Sequence, residues 1–369
     1  MRVAIHTSLD PATGIARYTR NLLIELDRGT DVRAKVFTYP IRPRRPEWLP
    51  AGVEYRRPRM PGRVQRALVE RAGVPLEWLF GIRDCDLVHL THTSRLRPRR
   101  PCALTVYDVA WRVLGPEYLS VVTAPWIQDA EAAIAAADHL LVISQATADE
   151  LVRGGFPADR MTVTPLGVDE RFRKVGPEHS RAVRERYPIP EQFVLYVGAV
   201  NIRKDVPTLV RAVTEIADAP GVGLVLVGPP PREGLAAWGL DHPRVTHLGY
   251  VPDDDLPGLY AAASVVAIPA KLEGFGLPLV EAMAAGAPVV ASDLPVFREV
   301  GGDAPLYFPA ADPVALRAAL STVLRDGAAA EQMRTAGRDQ ASRFMWSACA
   351  AATVEGYSRT LQQHKRRAT

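Results

Sequence analysis

Cysteine is scarce. Cys85, Cys102 and Cys349 are the only three in 369 residues, and none has CxxC spacing. A disulfide or zinc framework is therefore not what organises this chain, and a reducing, cytoplasmic setting is expected. Long apolar runs are missing too; none approaches the ~18–20 residues needed to span a bilayer. The opening MRVAIHTSLD meets an acid before any signal-length apolar stretch develops, so it reads as a strand. Also missing are GxGxxG and the phosphate loop GxxxxGKS/T, which argues against dinucleotide redox chemistry and ATP hydrolysis. Without GxSxG or HExxH, serine-hydrolase and zinc-protease readings lose their signatures.

Apolar residues make up 47% of the chain and charged residues 23%, values of a folded globular protein. At about 100–200 residues per domain, this length predicts two domains. The net charge of +4 is unevenly spread. Residues 1–100 carry 20 Lys and Arg against 10 Asp and Glu, and the other 269 carry 25 against 31. Arginines concentrate in RPRRPEW (42–48), YRRPR (55–59) and RLRPRRP (95–101). They are interleaved with proline, not with stacking aromatics, which disfavours nucleic acid. They suit either solvated loops or an anionic partner: a charged acceptor or the surface of an acidic membrane.

Short apolar runs alternate with helical segments. RVAIHT (2–7), VRAKVFTY (32–39), DLVHL (86–90), CALTVYD (102–108), HLLVIS (139–144) and MTVTPLGVD (161–169) read as strands. Ser144 is placed to cap a helix over 146–153. Residues 174–190, polar and proline-containing, read as a short helix within a linker, and after them the pattern restarts. FVLYVGAV (193–200), GLVLVGP (223–229), VTHLGYV (245–251), SVVAIPA (264–270), APVVAS (287–292) and APLYFP (304–309) are its strands. Near-continuous apolar strands alternating with helices predict parallel sheets covered on both faces, hence two Rossmann-like domains. The expected division is 1–180, 181–340 and a helical tail over 341–369.

The most specific segment is KLEGFGLPLVEAMAAGAPVVASD (271–293), in which seven residues separate Glu273 from Glu281. A helix is expected to start near Leu277. Its free N–H groups and positive dipole end can hold a diphosphate, and Gly274 and Gly276 let backbone approach closely. Glu281, one turn in, can reach a ribose; Glu273, before the loop, can reach a sugar. DDD (253–255) resembles a metal-binding cluster, but before a helix it reads as capping.

This segment resembles the E-x7-E motif of retaining glycosyltransferases with the GT-B fold, family GT4. The likeness extends through ATGIARYTRNLL (12–23), LTVYDVAW (104–111), TPLGVDERF (164–172), VGAVNIRKDVPTLVRA (197–212), GYVPDDDLPGLYAAASVVAIPA (249–270) and GGDAPLYFPAADPVALRAAL (301–320). The resemblance implies two Rossmann-like domains facing across a cleft, with the last helices returning to the first domain. It implies a nucleoside-diphosphate-sugar donor. Glu281 would bind the ribose and Glu273 the transferred sugar. Gly274, Phe275, Gly276 and Leu277 would give backbone N–H to sugar and diphosphate. Arg203 and Lys204 would neutralise the departing diphosphate without a metal, which makes chemical sense because fixed cations stabilise that developing charge. Gly198, Gly14 and Ile15 would lie against the diphosphate, and Val251 against the base. Relatives carry Arg where Ala199 stands, and His-Asp where this chain has Tyr107-Asp108. Asp108 is then the candidate to orient or deprotonate the acceptor, with Tyr107 and His92 as contacts. YDVAW looks most like mannosyltransferase members, favouring a GDP-mannose-like donor over a UDP-hexose. The implied reaction is hexosyl transfer, with no cofactor, to a glycan, lipid or small molecule. A phosphorylase or epimerase on the same fold, or a non-catalytic nucleotide-sugar-binding module, is the alternative.

Overall fold

A computed structural model describes residues 1–7, 14–38, 45–56, 60–115, 123–217, 219, 221–231 and 233–368. The chain divides into two compact units, Met1–Gly167 with Trp346–Thr369, and Val168–Met345.

The N-terminal unit is built on seven parallel strands: β1 (Arg2–His6), β2 (Arg33–Phe37), β3 (Glu54–Arg56), β4 (Leu87–Leu90), β5 (Cys102–Val106), β6 (His139–Val142) and β7 (Met161–Val163). Their order is β3-β2-β1-β4-β5-β6-β7. β4, β5 and β6 are buried along their whole length, as strands covered on both faces must be. β3 is the strand absent from the sequence reading. It is a three-residue edge piece, partly exposed, with no apolar run to announce it. Ser144 does cap the helix Gln145–Arg153, accepting from the Thr147 N–H at 3.1 Å.

The last helix, Trp346–Ala368, belongs to this unit. A buried hydrogen-bond chain fastens it. Tyr357 meets His89 Nδ1 at 2.8 Å, His89 Nε2 meets Thr105 at 2.7 Å, and Thr105 meets Tyr18 at 3.3 Å. Each link satisfies a polar group that burial would otherwise strand, at roughly 1–3 kcal/mol per orphan.

The C-terminal unit repeats the plan with β8 (Phe193–Val197), β9 (Gly223–Val227), β10 (Val245–Gly249), β11 (Val265–Ile268), β12 (Val289–Ser292) and β13 (Leu306–Phe308). All pair in parallel, in the order β10-β9-β8-β11-β12-β13. In both sheets the order reverses beside the first strand, and such a switch point opens a crevice at the carboxyl ends of the strands.

The unit boundary falls at 167/168, not at 180/181. The segment read as a linker is part of the second unit because it is tied down there. Its helix Pro177–Arg186 packs on the helix Leu256–Ala262, with Arg184 donating to the Ala262 carbonyl at 2.9 Å and Arg186 paired with Asp255 at 2.6 Å. The expected tail over 341–369 is the helix Trp346–Ala368 in the first unit, while the preceding helix, Gly327–Ala341, stays with the second. The break at 342–345 frees the Phe344 carbonyl to accept from the Val168 N–H at 3.2 Å and from Arg173 at 3.0 Å.

Candidate active site

In the C-terminal unit the carboxyl edge of the sheet collects most of the expected residues. Arg203 and Lys204 follow β8, and Glu273 follows β11, so they flank the switch point from either side. The two loops are joined: the Lys271 N–H donates to the Arg203 carbonyl at 2.7 Å, and Lys204 Nζ donates to Glu273 Oε2. Both side chains remain partly open, 16% and 18% exposed, so a ligand can reach them. Asp205, directly after the cationic pair, adopts a left-handed backbone (φ 47°) at the start of the helix Val206–Thr214. Such strain in a non-glycine residue costs on the order of 1–3 kcal/mol and gathers at ligand-clamping loops.

The helix Leu277–Ala284 starts after Gly276, whose φ is 96°. A Cβ there would sit 2.8 Å from the Phe297 ring, so only glycine fits. Pro278 has no N–H to lose. The N–H groups of Phe275, Gly276 and Leu277 make no hydrogen bond within the described residues, and they form the donor set at the helix start. The Phe275 side chain faces the other way, buried against Phe344 with ring centroids 5.6 Å apart. Only its backbone is on offer. Glu281 lies one turn in, 2% exposed, accepting from the Tyr260 hydroxyl at 3.3 Å. Val251 is buried just beyond β10, beside Tyr250, which is 70% exposed.

Two residues here escaped the sequence reading. Gly228 ends β9 next to Gly198 at the end of β8. A Cβ on Gly228 would lie 2.3 Å from the Gly198 carbonyl oxygen, and both have positive φ (135° and 151°). The pair leaves the ends of β8 and β9 free of side chains at these two positions. The signal was available as VG recurring at the ends of successive strands, in YVG and LVG. Tyr196 is the other. Its hydroxyl donates to the Ala199 carbonyl at 3.0 Å, and burial together with the nearby Glu273 carboxylate raises its pKa above the usual range.

The aspartate triplet is not a capping loop. No side-chain cap is made at Asp255; its carboxylate is held by Arg186 and by the Tyr187 hydroxyl. Asp253 and Asp254 face Arg171 at 3.6 and 3.4 Å. At Asp255 the charged Arg186 out-competes a neutral N–H for the carboxylate.

The N-terminal unit presents a different edge. Gly14 opens the helix Gly14–Gly29, with Ile15 behind it; residues 8–13, which include the start of the glycine loop, lie outside the described residues. His92 follows β4 and packs on His6, ring centroids 5.1 Å apart. Burial lowers the pKa of both, that of His6 to about 3. Asp108 Oδ1 accepts from the Ala110 N–H at 3.0 Å, holding the turn into the short helix Ala110–Val113. Tyr107 is only partly buried, yet its hydroxyl oxygen is buried and has no partner among the described residues. Its ring stands edge-on to Tyr18 at 5.8 Å. The ring, not the hydroxyl, is the accessible part. His89 faces inward. It is an interior residue of β4, fully buried, with both nitrogens engaged.

Residues 12–172 match the family described as Glycosyltransferase Family 4, and residues 191–326 the one described as Glycosyl transferases group 1. The chain is 34% identical over 227 residues to O-antigen chain mannosyltransferase B of Escherichia coli, a match covering 59% of this chain and 60% of that protein's length. It is 30% identical over 309 residues to D-inositol 3-phosphate glycosyltransferase of Xylanimonas cellulosilytica, covering 79% of this chain and 70% of that one. Among solved structures, sucrose-phosphate synthase from Thermosynechococcus elongatus superposes with a TM-score of 0.79 over 97% of this chain and 98% of that one, at 24% identity.

Proposed function

The chain belongs to glycosyltransferase family 4, and from that premise we propose that it moves a hexosyl group from a nucleoside-diphosphate sugar to an acceptor hydroxyl, with retention at the anomeric carbon. The observation that carries the reading is the Lys204–Glu273 contact across the switch point of the second sheet. A cation suited to a diphosphate already touches a carboxylate suited to sugar hydroxyls.

On donor binding Lys204 exchanges Glu273 for the diphosphate, and Glu273 turns to the sugar. Arg203, Lys204 and the N–H groups at the start of Leu277–Ala284 stabilise the charge that builds as the bond from the anomeric carbon to the diphosphate breaks. The acceptor oxygen attacks from the same face, and its proton passes to the departing phosphate oxygen. No side-chain nucleophile enters, and fixed cations take the place of a metal. Glu281 holds the ribose. The mannosyltransferase relative favours a mannosyl donor and, through its O-antigen chain, a glycan acceptor, whereas the D-inositol 3-phosphate relative favours a small phosphorylated one.

Thermal shift against a panel of GDP-, UDP-, ADP- and dTDP-sugars tests this first. A true donor at ~100 times its dissociation constant adds about 2.7 kcal/mol. Transfer with that donor is expected to persist in excess EDTA. Complete, magnesium-restored loss of transfer overturns the metal-independent route, and no stabilisation by any nucleotide sugar overturns the function.

A further inference from the structure

Among the described residues of the arginine clusters prominent in the sequence, Arg45 and Arg56 are engaged locally and residues 95–100 gather. Arg45 turns back into its own loop, donating to the carbonyls of Leu49, Pro50 and Val53. Arg56 pairs with Glu54. Residues 95–100, in contrast, gather beside the turn Leu76–Leu79. The N–H groups of Arg99 and Arg100 donate to the buried Glu77 carboxylate at 2.6 and 3.0 Å. The Arg100 guanidinium donates to the Arg83 carbonyl at 2.6 Å. Arg83 in turn lies over the Trp78 ring, 4.7 Å from its centroid. Trp78 is 66% exposed. Beside the same turn runs a groove of about 510 Å³, walled by Val69, Val74 and Pro75 and edged by Arg95, Arg97 and Arg99.

The charge here is not cancelled. Asp129 holds Arg95 at 2.6 Å, and Glu77 is buried with two backbone donors. Among the described residues Arg83 and Arg99 have no ion pair, and Arg97 meets only the carbonyls of Ser94 and Leu96. An indole standing in water costs free energy, and a cationic rim beside it selects what covers it. Trp78, the more exposed of the two exposed tryptophans among the described residues, stands beside a groove whose rim carries three arginines and one carboxylate, Asp129, an arrangement that fits the interfacial zone of a bilayer, where indoles collect and arginines meet headgroup phosphates. Single-stranded nucleic acid would call for several aromatics in line. We infer that the Leu76–Leu79 turn and the 95–100 loop form a docking face for an anionic lipid bilayer. Trp78 enters the headgroup layer, and Arg83, Arg97 and Arg99 meet the phosphates.

The test needs neither donor nor acceptor, so its outcome is separate from that of the glycosyl-transfer reading. The full chain is sedimented with vesicles of phosphatidylcholine containing ~30 mol% phosphatidylglycerol at low salt. Binding is expected to exceed that to pure phosphatidylcholine by about tenfold or more, and to fall steeply with added NaCl. Arg83→Ser/Arg97→Ser/Arg99→Ser should lower partitioning by at least about tenfold, and Trp78→Ser by a few-fold, with an unchanged circular dichroism spectrum. Brominated acyl chains should quench tryptophan emission in the wild type and not in Trp78→Phe. Equal binding to neutral vesicles, wild-type binding by the triple variant, or preference for a single-stranded oligonucleotide over the vesicles overturns the proposal.

Discussion

The two sheets share one strand order yet are finished differently at their carboxyl ends. In the C-terminal unit the edge is bare backbone and charge: Gly198 and Gly228 side by side, the open N-terminus of Leu277–Ala284, and Lys204 against Glu273. In the N-terminal unit the same edge is filled with rings, namely His6, His92, Tyr18 and Tyr107. One edge offers backbone donors and a cation, the set that the proposed diphosphate would need. Among its described residues the other presents rings beside Asp108, a surface suited to recognition by shape. A topology that places ligands at strand ends leaves the chemistry of those ends open, and here each unit settles it in its own way.

The largest expected effect tests the charged edge. Lys204→Ala and Glu273→Gln should each lower kcat with the true donor by about 10²–10³, the scale of removing one preorganised electrostatic group. The double variant should lose less than the product of the two, because the groups are in contact. Steady-state kinetics of the four proteins measures this. Full additivity would mean that the contact plays no part in turnover, and the contrast between the edges would lose its main support.

Glycine substitution sharpens the same contrast. Gly228→Ala forces a Cβ against the Gly198 carbonyl at a φ of 135°. A loss of about 1–3 kcal/mol or more is expected, visible as a lowered Tm and weaker donor binding. Gly14→Ala in the N-terminal unit meets nothing within 4 Å, and stability should stay within about 0.5 kcal/mol of wild type. Equal Tm losses for the two would refute the idea that only one edge is paved by backbone contact.

Acid should separate the units. Burial pushes His6 and His89 down to about 3, against 6.5 for a free imidazole. The unfolded chain therefore binds protons between pH 6.5 and 3 that the folded unit refuses. Stability is full above about 6.5 and falls as pH drops, by up to about 1.4 kcal/mol per pH unit for each histidine. The histidines of the C-terminal unit, His179, His242 and His247, are not among its buried residues. Hydrogen exchange should show β1, β4 and β5 losing protection at higher pH than β8 and β9. Simultaneous loss in both sheets would remove histidine burial as the cause.

Much of the second unit was legible because its chemistry is written in short, contiguous strings. GFG before an apolar helix and RK after an apolar strand state their own geometry, since glycine freedom and helix-start donors are local properties. What the sequence concealed was long-range. That His89 serves Tyr357, 268 residues away, is invisible in DLVHL. The aspartate triplet looked like a cap because its partners, Arg171 and Arg186, lie some seventy to eighty residues upstream. β3 was missed, and the 177–186 helix was expected only as part of a linker, because exposed edges carry no apolar periodicity.

The smallest effect is the sharpest test of the shape-based edge. Tyr107 was expected as an acceptor contact, which suggests a hydroxyl that bonds substrate. The structure turns that hydroxyl inward, buried and without a partner among the described residues, while the ring remains partly open. Burial, helped by Tyr18, raises its pKa well above the usual tyrosine value, so it cannot take a proton near neutrality. Deleting a buried hydroxyl that bonds nothing removes a desolvation cost of about 1–3 kcal/mol and no favourable contact. Tyr107→Phe should therefore keep kcat/KM within about twofold and leave Tm unchanged or slightly higher. Tyr107→Ala, which removes the ring, should cost about 2–4 kcal/mol of stability and raise acceptor KM. If Tyr107→Phe instead loses tenfold or more in kcat with Tm unchanged, the hydroxyl turns outward during catalysis. The N-terminal edge would then act by polar contact after all, like its counterpart.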